Sequence, residues 1–223
     1  EAMITQKVLV PAAGKAAYID IDDVTTAVNA DPFNANVPTL EEMTKVALNV
    51  LDNDPDGFFL HVEGGAVDWA GHGNWMGRMI EEQTDFDNSV AAVIAWVEAN
   101  SNWNETLLIV TGDHETGFLT GPDGLTSGKY YEPVVNNGKG KMPGGQFHSN
   151  EHTNQLIPLY AKGNSAGLLN SYSDEMDPVR GAYMDNTELF KVMKAALHAE
   201  TTDVAQDVSP MDFAMVSNYP NPF

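Results

Sequence analysis

Gly57-Phe58-Phe59-Leu60-His61-Val62-Glu63-Gly64-Gly65-Ala66-Val67-Asp68-Trp69-Ala70-Gly71-His72 is the stretch on which the reading of the chain turns. Phe58, Phe59, Leu60 and Val62 make a short, nearly continuous apolar run, the pattern of a strand that a sheet buries on both faces. The run ends in a carboxylate, Glu63, and two glycines follow that let the backbone turn sharply. Asp68 and His72 come next, four residues apart. On a helix that spacing puts a carboxylate and an imidazole on one face. A buried strand that delivers an acid, a tight turn and an Asp/His pair point to a metal site at the carboxyl end of a sheet. The plainer alternative is a strand end, a turn and a solvated pair.

Upstream, Val8-Leu9-Val10 has the composition of a short strand, and residues 29–36 have loop chemistry. Thr39 and Glu42 frame a capping box for a helix whose apolar stripe is Leu40, Met43, Val46, Ala47, Val50 and Leu51. Downstream, a long helix is expected over about 78–99. Val90, Val93, Ile94 and Val97 lie on its apolar side, and Glu81, Glu82, Asp85 and Asp87 on its solvent side. Thr106 to Thr111 form a second buried strand, which also ends in ligand-type residues, Asp113 and His114. Strand, helix, strand reads as a βαβ unit in a parallel sheet.

Residues 117–151 are broken by glycines and prolines and read as an inserted, crown-like region. After His152, a third strand is expected from Gln155 to Ala161, where Pro158 suits an edge or the end of a pairing. Asp185 to Glu188 start a last helix with Leu189, Val192, Met193, Ala196 and Leu197 inward. Residues 200–223 read as a linker. The fold class is α/β, with a mostly parallel central sheet flanked by helices, within what is expected to be a larger α/β/α domain.

The chain has 223 residues and a formal net charge of −21. That charge argues against a nucleic-acid-binding surface and against anionic membranes, and no apolar run is long enough for a membrane span. It also means that an anionic substrate needs a local source of positive charge, and only two arginines, Arg78 and Arg180, are present. Metal ions are the obvious source. Cysteine is absent, which excludes disulfides and thiolate ligands. Carboxylates mixed with imidazoles suit zinc, with an oxygen-liganded ion nearby. His148 is a rival ligand four residues before His152, but its glycine-rich flanks argue against a helical pair.

The ordered set Val62-Glu63-Gly64-Gly65, Asp68, His72, Val110-Thr111-Gly112-Asp113-His114 and His152-Thr153 resembles the carboxyl-terminal half of an alkaline phosphatase. The likeness covers roughly residues 38–199. It implies two zinc ions and one magnesium ion. Asp68, His72 and His152 resemble the ligands of the first zinc, Asp113 and His114 those of the second, and Glu63 a ligand of the magnesium. It further implies hydrolysis of phosphate monoesters through a phosphoserine intermediate, with a homodimer as the family's expectation; a secreted or periplasmic location is expected from the last residues of the chain. Trp69 stands where some members carry a lysine or histidine near the phosphate, and is the candidate substrate-side residue. Thr116 stands where some members carry a supporting histidine.

The family's nucleophilic serine belongs to its amino-terminal half, and no such motif occurs here. The expectation is that residues 1–199 are the carboxyl-terminal portion of a catalytic domain, with the nucleophile supplied by an amino-terminal half as partner. The final Tyr219-Pro220-Asn221-Pro222-Phe223 resembles the start of a secretion sorting domain, for which 200–223 would be the linker. Alternatives are a phosphodiesterase, phosphonate hydrolase or mutase of the same metal superfamily, and a non-catalytic metal-binding fragment.

Overall fold

The computed structural model describes residue 28, residues 35–126 and 132–198, and the backbone of residues 2–5 and 214–219. In chain order the elements are β1 (Ala2–Thr5), α1 (Leu40–Leu51), β2 (Leu60–Glu63), α2 (Ala66–His72), α3 (Met76–Asn100), β3 (Leu107–Val110) and β4 (Glu115–Thr116). They continue with β5 (His152–Thr153), β6 (Ile157–Gly163), α4 (Leu169–Tyr172), β7 (Glu175–Asp177), β8 (Gly181–Asp185), α5 (Leu189–His198) and β9 (Ala214–Tyr219). The chain is α/β and divides into two compact units, Glu1–Ile94 with Thr116–His152, and Ala95–Glu115 with Thr153–Phe223. The strand expected at Val8-Leu9-Val10 and the final four residues lie outside the described residues.

In the first unit β1 pairs in parallel with β2. The capping box on α1 forms as the sequence predicts. The Thr39 side chain accepts from the Glu42 amide at 3.0 Å, and the Glu42 carboxylate accepts from the Thr39 amide at 2.8 Å. Asp85 accepts from the Leu40 amide at 3.2 Å, so a carboxylate expected in solvent sits at the positive end of α1 instead. The apolar stripe is rotated from its expected position. Leu40, Thr44, Ala47 and Leu48 are buried, while Val46 and Val50 are more than 60% exposed. Two apolar rows share this helix, and periodicity alone does not say which one faces the core. Thr44 decides for its own row by returning its hydroxyl to the Leu40 carbonyl at 2.7 Å, which lets a polar side chain be fully buried.

Helix α3 is longer than expected, and its acidic face is also corrected. Glu81 and Glu82 are buried rather than solvated. Glu81 accepts from Arg78 Nη1 at 2.7 Å, with both side chains about 3% exposed. Charges three apart on a helix can neutralise each other, and a paired charge tolerates burial that a lone one does not. Strand β2 also departs from expectation. Its exposure alternates, with His61 and Glu63 on the open face, and it is not buried on both.

The second unit holds a five-stranded sheet in the order β3-β6-β9-β8-β7. Only β8 and β9 run parallel in it; β3·β6, β6·β9 and β7·β8 are antiparallel. The expected βαβ unit is therefore not formed among the described residues, because β2 pairs with β1 and β3 with β6. A helix between two strands fixes their order along the chain but not which strands become neighbours. Residues 214–219, expected within a linker, form a strand between β6 and β8. Pro158 lies ahead of the first β3 partner, Tyr160, but stands opposite Ser217 within the β9 ladder, so the expected end of a pairing holds on the β3 side alone. Leu159, Ala161, Leu169, Met184 and Val192 form the core of this unit, with Leu107, Ile109 and Leu189 packed against it. Of the residues expected inward on α5, Val192 is buried, but Leu197 is 63% exposed.

Asp185 caps the turn into α5. It accepts from the Thr187 amide at 2.9 Å and from the Thr187 hydroxyl. Those bonds, the hydroxyl first, hold its carboxyl below the ordinary value of 3.8. A carboxyl depressed in the folded state adds stability that is present above the unfolded value and is lost as pH falls through the folded one. Asp185→Ala is therefore expected to lower the melting temperature at pH 7. Calorimetry at falling pH should show the gap to the parent closing below about pH 4, because both proteins then lack the ionised cap. Thr39→Ala should cost about 1 kcal/mol in denaturant titration at any pH where Glu42 is ionised.

Candidate metal centre

Helix α2 is seven residues long, and its geometry puts Asp68 and His72 on one face one turn apart. Its entry depends on Gly64, where a Cβ would lie 2.8 Å from the Phe86 ring. Its packing depends on Gly71, where a Cβ would meet Thr116 at 2.9 Å. The region after Thr116 leaves and comes back as a narrow ribbon. Thr120 and Gln146 exchange backbone bonds at 3.0 and 2.9 Å, and Val135 and Gly144 do so at 2.8 and 2.9 Å. Gly117 N donates to the Glu151 carbonyl at 3.1 Å, so residue 151 returns beside residue 117. His152 is thereby delivered to α2 from 80 residues further along the chain.

The three side chains of the expected first zinc site meet. His152 Nε2 lies 3.2 Å from Asp68 Oδ1 and 3.1 Å from His72 Nε2, and His72 Nε2 lies 3.4 Å from Asp68 Oδ1. Ligand atoms on a tetrahedral zinc, at bonds of about 2.0–2.1 Å, are separated by about 3.3–3.4 Å. The residues present fit such an ion. The protonation pattern agrees with this. His72 Nδ1–H donates to the Asn150 carbonyl, which leaves its Nε2 in the neutral ring as a lone pair. That lone pair then faces a carboxylate oxygen and a second imidazole nitrogen. Either a His152 Nε2–H donating into the group or a cation at its centre would satisfy these contacts.

Thr116, which stands where some family members carry a histidine, contacts Asp68 here. Its hydroxyl donates to Asp68 Oδ1 at 2.6 Å and orients the carboxylate. His148 is not part of the cluster. Its Nε2 lies 2.7 Å from Thr120 Oγ1, whose hydroxyl donates to the Gly121 carbonyl at 2.9 Å, so His148 holds the ribbon together. Trp69 is half-buried on α2, next to Asp68 in the chain. Glu63 ends β2 with its carboxylate on the exposed face. Two contributors escaped the sequence reading, Asn150, through its carbonyl, and Asn74. An asparagine just past a helix end, at positive φ, was the available signal for the latter.

In the second unit, β3 runs out into Asp113 and His114. Asp113 Oδ2 lies 3.2 Å from His114 Nε2, and the His114 amide donates to Asp113 Oδ1 at 3.1 Å. The adjacent pair thus turns one oxygen and one ring nitrogen to a common point, again at the spacing that a single ion spans. Gly112 allows this exit beside β6, because a Cβ there would lie 3.2 Å from Ile157 Cγ2. Thr111 Oγ1 is anchored on the Pro158 carbonyl at 3.2 Å.

Fold and side chains together describe an α/β protein in which one carboxylate oxygen and two imidazole nitrogens converge. The alkaline phosphatase family model matches residues 20–143, more than half of the chain, and the chain belongs to that family. It is 38% identical over 100 residues to alkaline phosphatase 3 of Bacillus subtilis, covering 44% of this chain and 21% of that protein. It is 31% identical over 192 residues to the alkaline phosphatase of Escherichia coli K12, covering 82% of this chain and 37% of that one. The structure of the alkaline phosphatase from the Antarctic bacterium TAB5 matches at 32% identity with a TM-score of 0.44, over 56% of this chain and 33% of that one. The chain thus spans between 21% and 37% of the length of the two curated relatives.

Thr116→Val keeps the shape and removes the hydroxyl that Asp68 accepts from. Zinc affinity measured by chelator competition is expected to fall about 10–100-fold, with the circular dichroism of the metal-free chain unchanged.

Proposed function

We propose that this chain supplies the metal-holding portion of a zinc- and magnesium-dependent phosphatase that hydrolyses phosphate monoesters. The observation that carries the reading is the approach of Asp68 Oδ1, His72 Nε2 and His152 Nε2 to within 3.4 Å of one another. Membership of the alkaline phosphatase family supports the reaction class.

In this reading Asp68, His72 and His152 hold the first zinc, Asp113 and His114 the second, and Glu63 the magnesium. Bound zinc and magnesium would supply positive charge to a phosphate and lower the pKa of a coordinated water or alcohol. Every other role falls to the chain. His72 donates its Nδ1 hydrogen to the Asn150 carbonyl, which fixes the ring and, in the neutral tautomer, leaves Nε2 as the ligating atom. Thr116 donates to the Asp68 carboxylate, and Trp69, the next residue on α2, is the candidate on the substrate side. A lone carboxylate such as Glu63 is the kind of ligand magnesium takes from a protein, with waters and other oxygens completing its shell. The nucleophilic serine comes from an amino-terminal half that partners this one, in a homodimeric, secreted or periplasmic enzyme. The acidic surface leaves substrate attraction to the ions, because a net charge of −21 repels phosphate elsewhere.

The chain alone, loaded with zinc, is expected to bind metal but not to turn over an aryl phosphate until the amino-terminal half is added. Robust turnover by the chain alone would overturn the division of labour. In the complemented enzyme Glu63→Gln should reduce kcat at least about 10-fold and abolish the response to added magnesium. A phosphodiesterase or mutase of the superfamily would show no magnesium effect.

A further inference from the structure

Two side chains at the exit of α2 grip consecutive carbonyls of the segment that ends in His152. His72 Nδ1–H donates to the Asn150 carbonyl. The Asn74 amide faces two carbonyl oxygens with a single atom, which must therefore be its nitrogen. Nδ2 then donates to Gly71 O at 3.1 Å and to Ser149 O at 2.8 Å, which uses both of its hydrogens. The Asn74 backbone N–H also donates to Gly71 O, at 3.0 Å. Asn74 stands at φ 56°, in the left-handed region, where asparagine is one of the few residues besides glycine that is readily accommodated. From the other side, Gly117 O accepts from the His148 and Ser149 amides, both at 3.1 Å, and Gly117 N donates to Glu151 O.

We infer that Asn74 is a positioning residue for the metal centre, the staple that sets the distance between His152 and the Asp68/His72 pair. The inference rests on the metal reading proposed above. His152 itself is nearly half exposed. Packing therefore does little to fix its ring, and the backbone that carries it has to be held instead. The ribbon contacts at Gly117 hold that backbone to residues 116–118, whereas Asn74 joins it to the helix that bears the other two ligands. Removing the staple leaves His72 with two tasks, orienting its own ring and holding the segment through Asn150. A zinc site loses affinity steeply when one ligand atom drifts from the tetrahedral spacing.

A merely structural role for Asn74 makes the opposite prediction for one substitution. If Asn74 serves only to end the helix at positive φ, Asn74→Gly is at least as good, because glycine takes that conformation without strain. If it positions the segment, glycine loses the amide and the site loosens. Asn74→Asp keeps the size but sets a carboxylate against two carbonyls.

The experiment titrates the full chain and both variants with Zn²⁺ against a chromophoric chelator. It records the visible absorption of the Co²⁺-loaded forms and the thermal unfolding of the metal-free forms. Both variants are expected to bind Zn²⁺ about 10–100-fold more weakly than the parent and to lose the strong tetrahedral Co²⁺ bands, with metal-free N74G melting at or above the parent. Zinc affinity of N74G within about twofold of the parent would overturn the inference. Should N74G fail to fold, Asn74→Ser, which keeps one donor, is read in its place. An affinity between those of parent and N74D supports the staple, and parental affinity rejects it. A parent chain that binds no Zn²⁺ overturns the reading of the centre itself, and the Asn74 inference with it.

Discussion

Three atoms that carry lone pairs, Asp68 Oδ1, His72 Nε2 and His152 Nε2, are held within 3.4 Å of one another, and the first unit is built to keep them there. Such a grouping repels itself unless a proton or a cation lies inside it, so rigid supports have to come from elsewhere. They come from four directions. The turn at Gly64-Gly65 starts α2 at the end of β2. Helical spacing stacks Asp68 and His72. Thr116 donates to the carboxylate, and the returning ribbon is fixed at Gly117, Asn150 and Ser149. None of these supports is a large apolar contact. Directional hydrogen bonds do the positioning, which matches a site whose side chains are between about a third and a half exposed.

Burial and charge are distributed in a way that a glance at composition misses. A chain this acidic buries two of its glutamates, Glu81 and Glu82, and one of its two arginines, in a single helix. Elsewhere carboxylates serve backbone amides. Asp85 meets the start of α1, Asp185 the turn into α5, and Asp177 the Val179 and Arg180 amides of the β7–β8 hairpin. The Arg180 amide, then that of Val179, holds the Asp177 carboxyl below its usual range. An anion placed on backbone N–H groups is stabilised where helices and turns leave donors unmatched. Part of the acidity is thus structural rather than a solvating coat.

Much of the local structure was legible in the residues. The capping box at Thr39 and Glu42, the Asp68/His72 face and the exit of β3 into Asp113-His114 all follow from rules that act within a few residues. What was misread needed the third dimension. Val46 and Val50 have the right period for a core yet stand exposed, because a neighbouring row with Thr44 faces inward. Glu81 was assigned to solvent, because its charge is visible in the sequence and its partner's burial is not. The βαβ expectation failed because order along the chain does not determine adjacency in a sheet.

The sequence by itself determined which residue types stand at which local positions. Carboxylates and imidazoles without thiols, at helical spacing and at strand ends, are fixed by residue type and by periods of two and four, which act locally. Tertiary structure alone decided how those residues are held. It set His152 beside Asp68 and His72 and His148 against Thr120, and it gave Thr116 to Asp68. It also set Asn74 between α2 and a segment some 75 residues away. The reason is physical: a ligand distance good to a few tenths of an ångström depends on contacts between parts of the chain that share no local period.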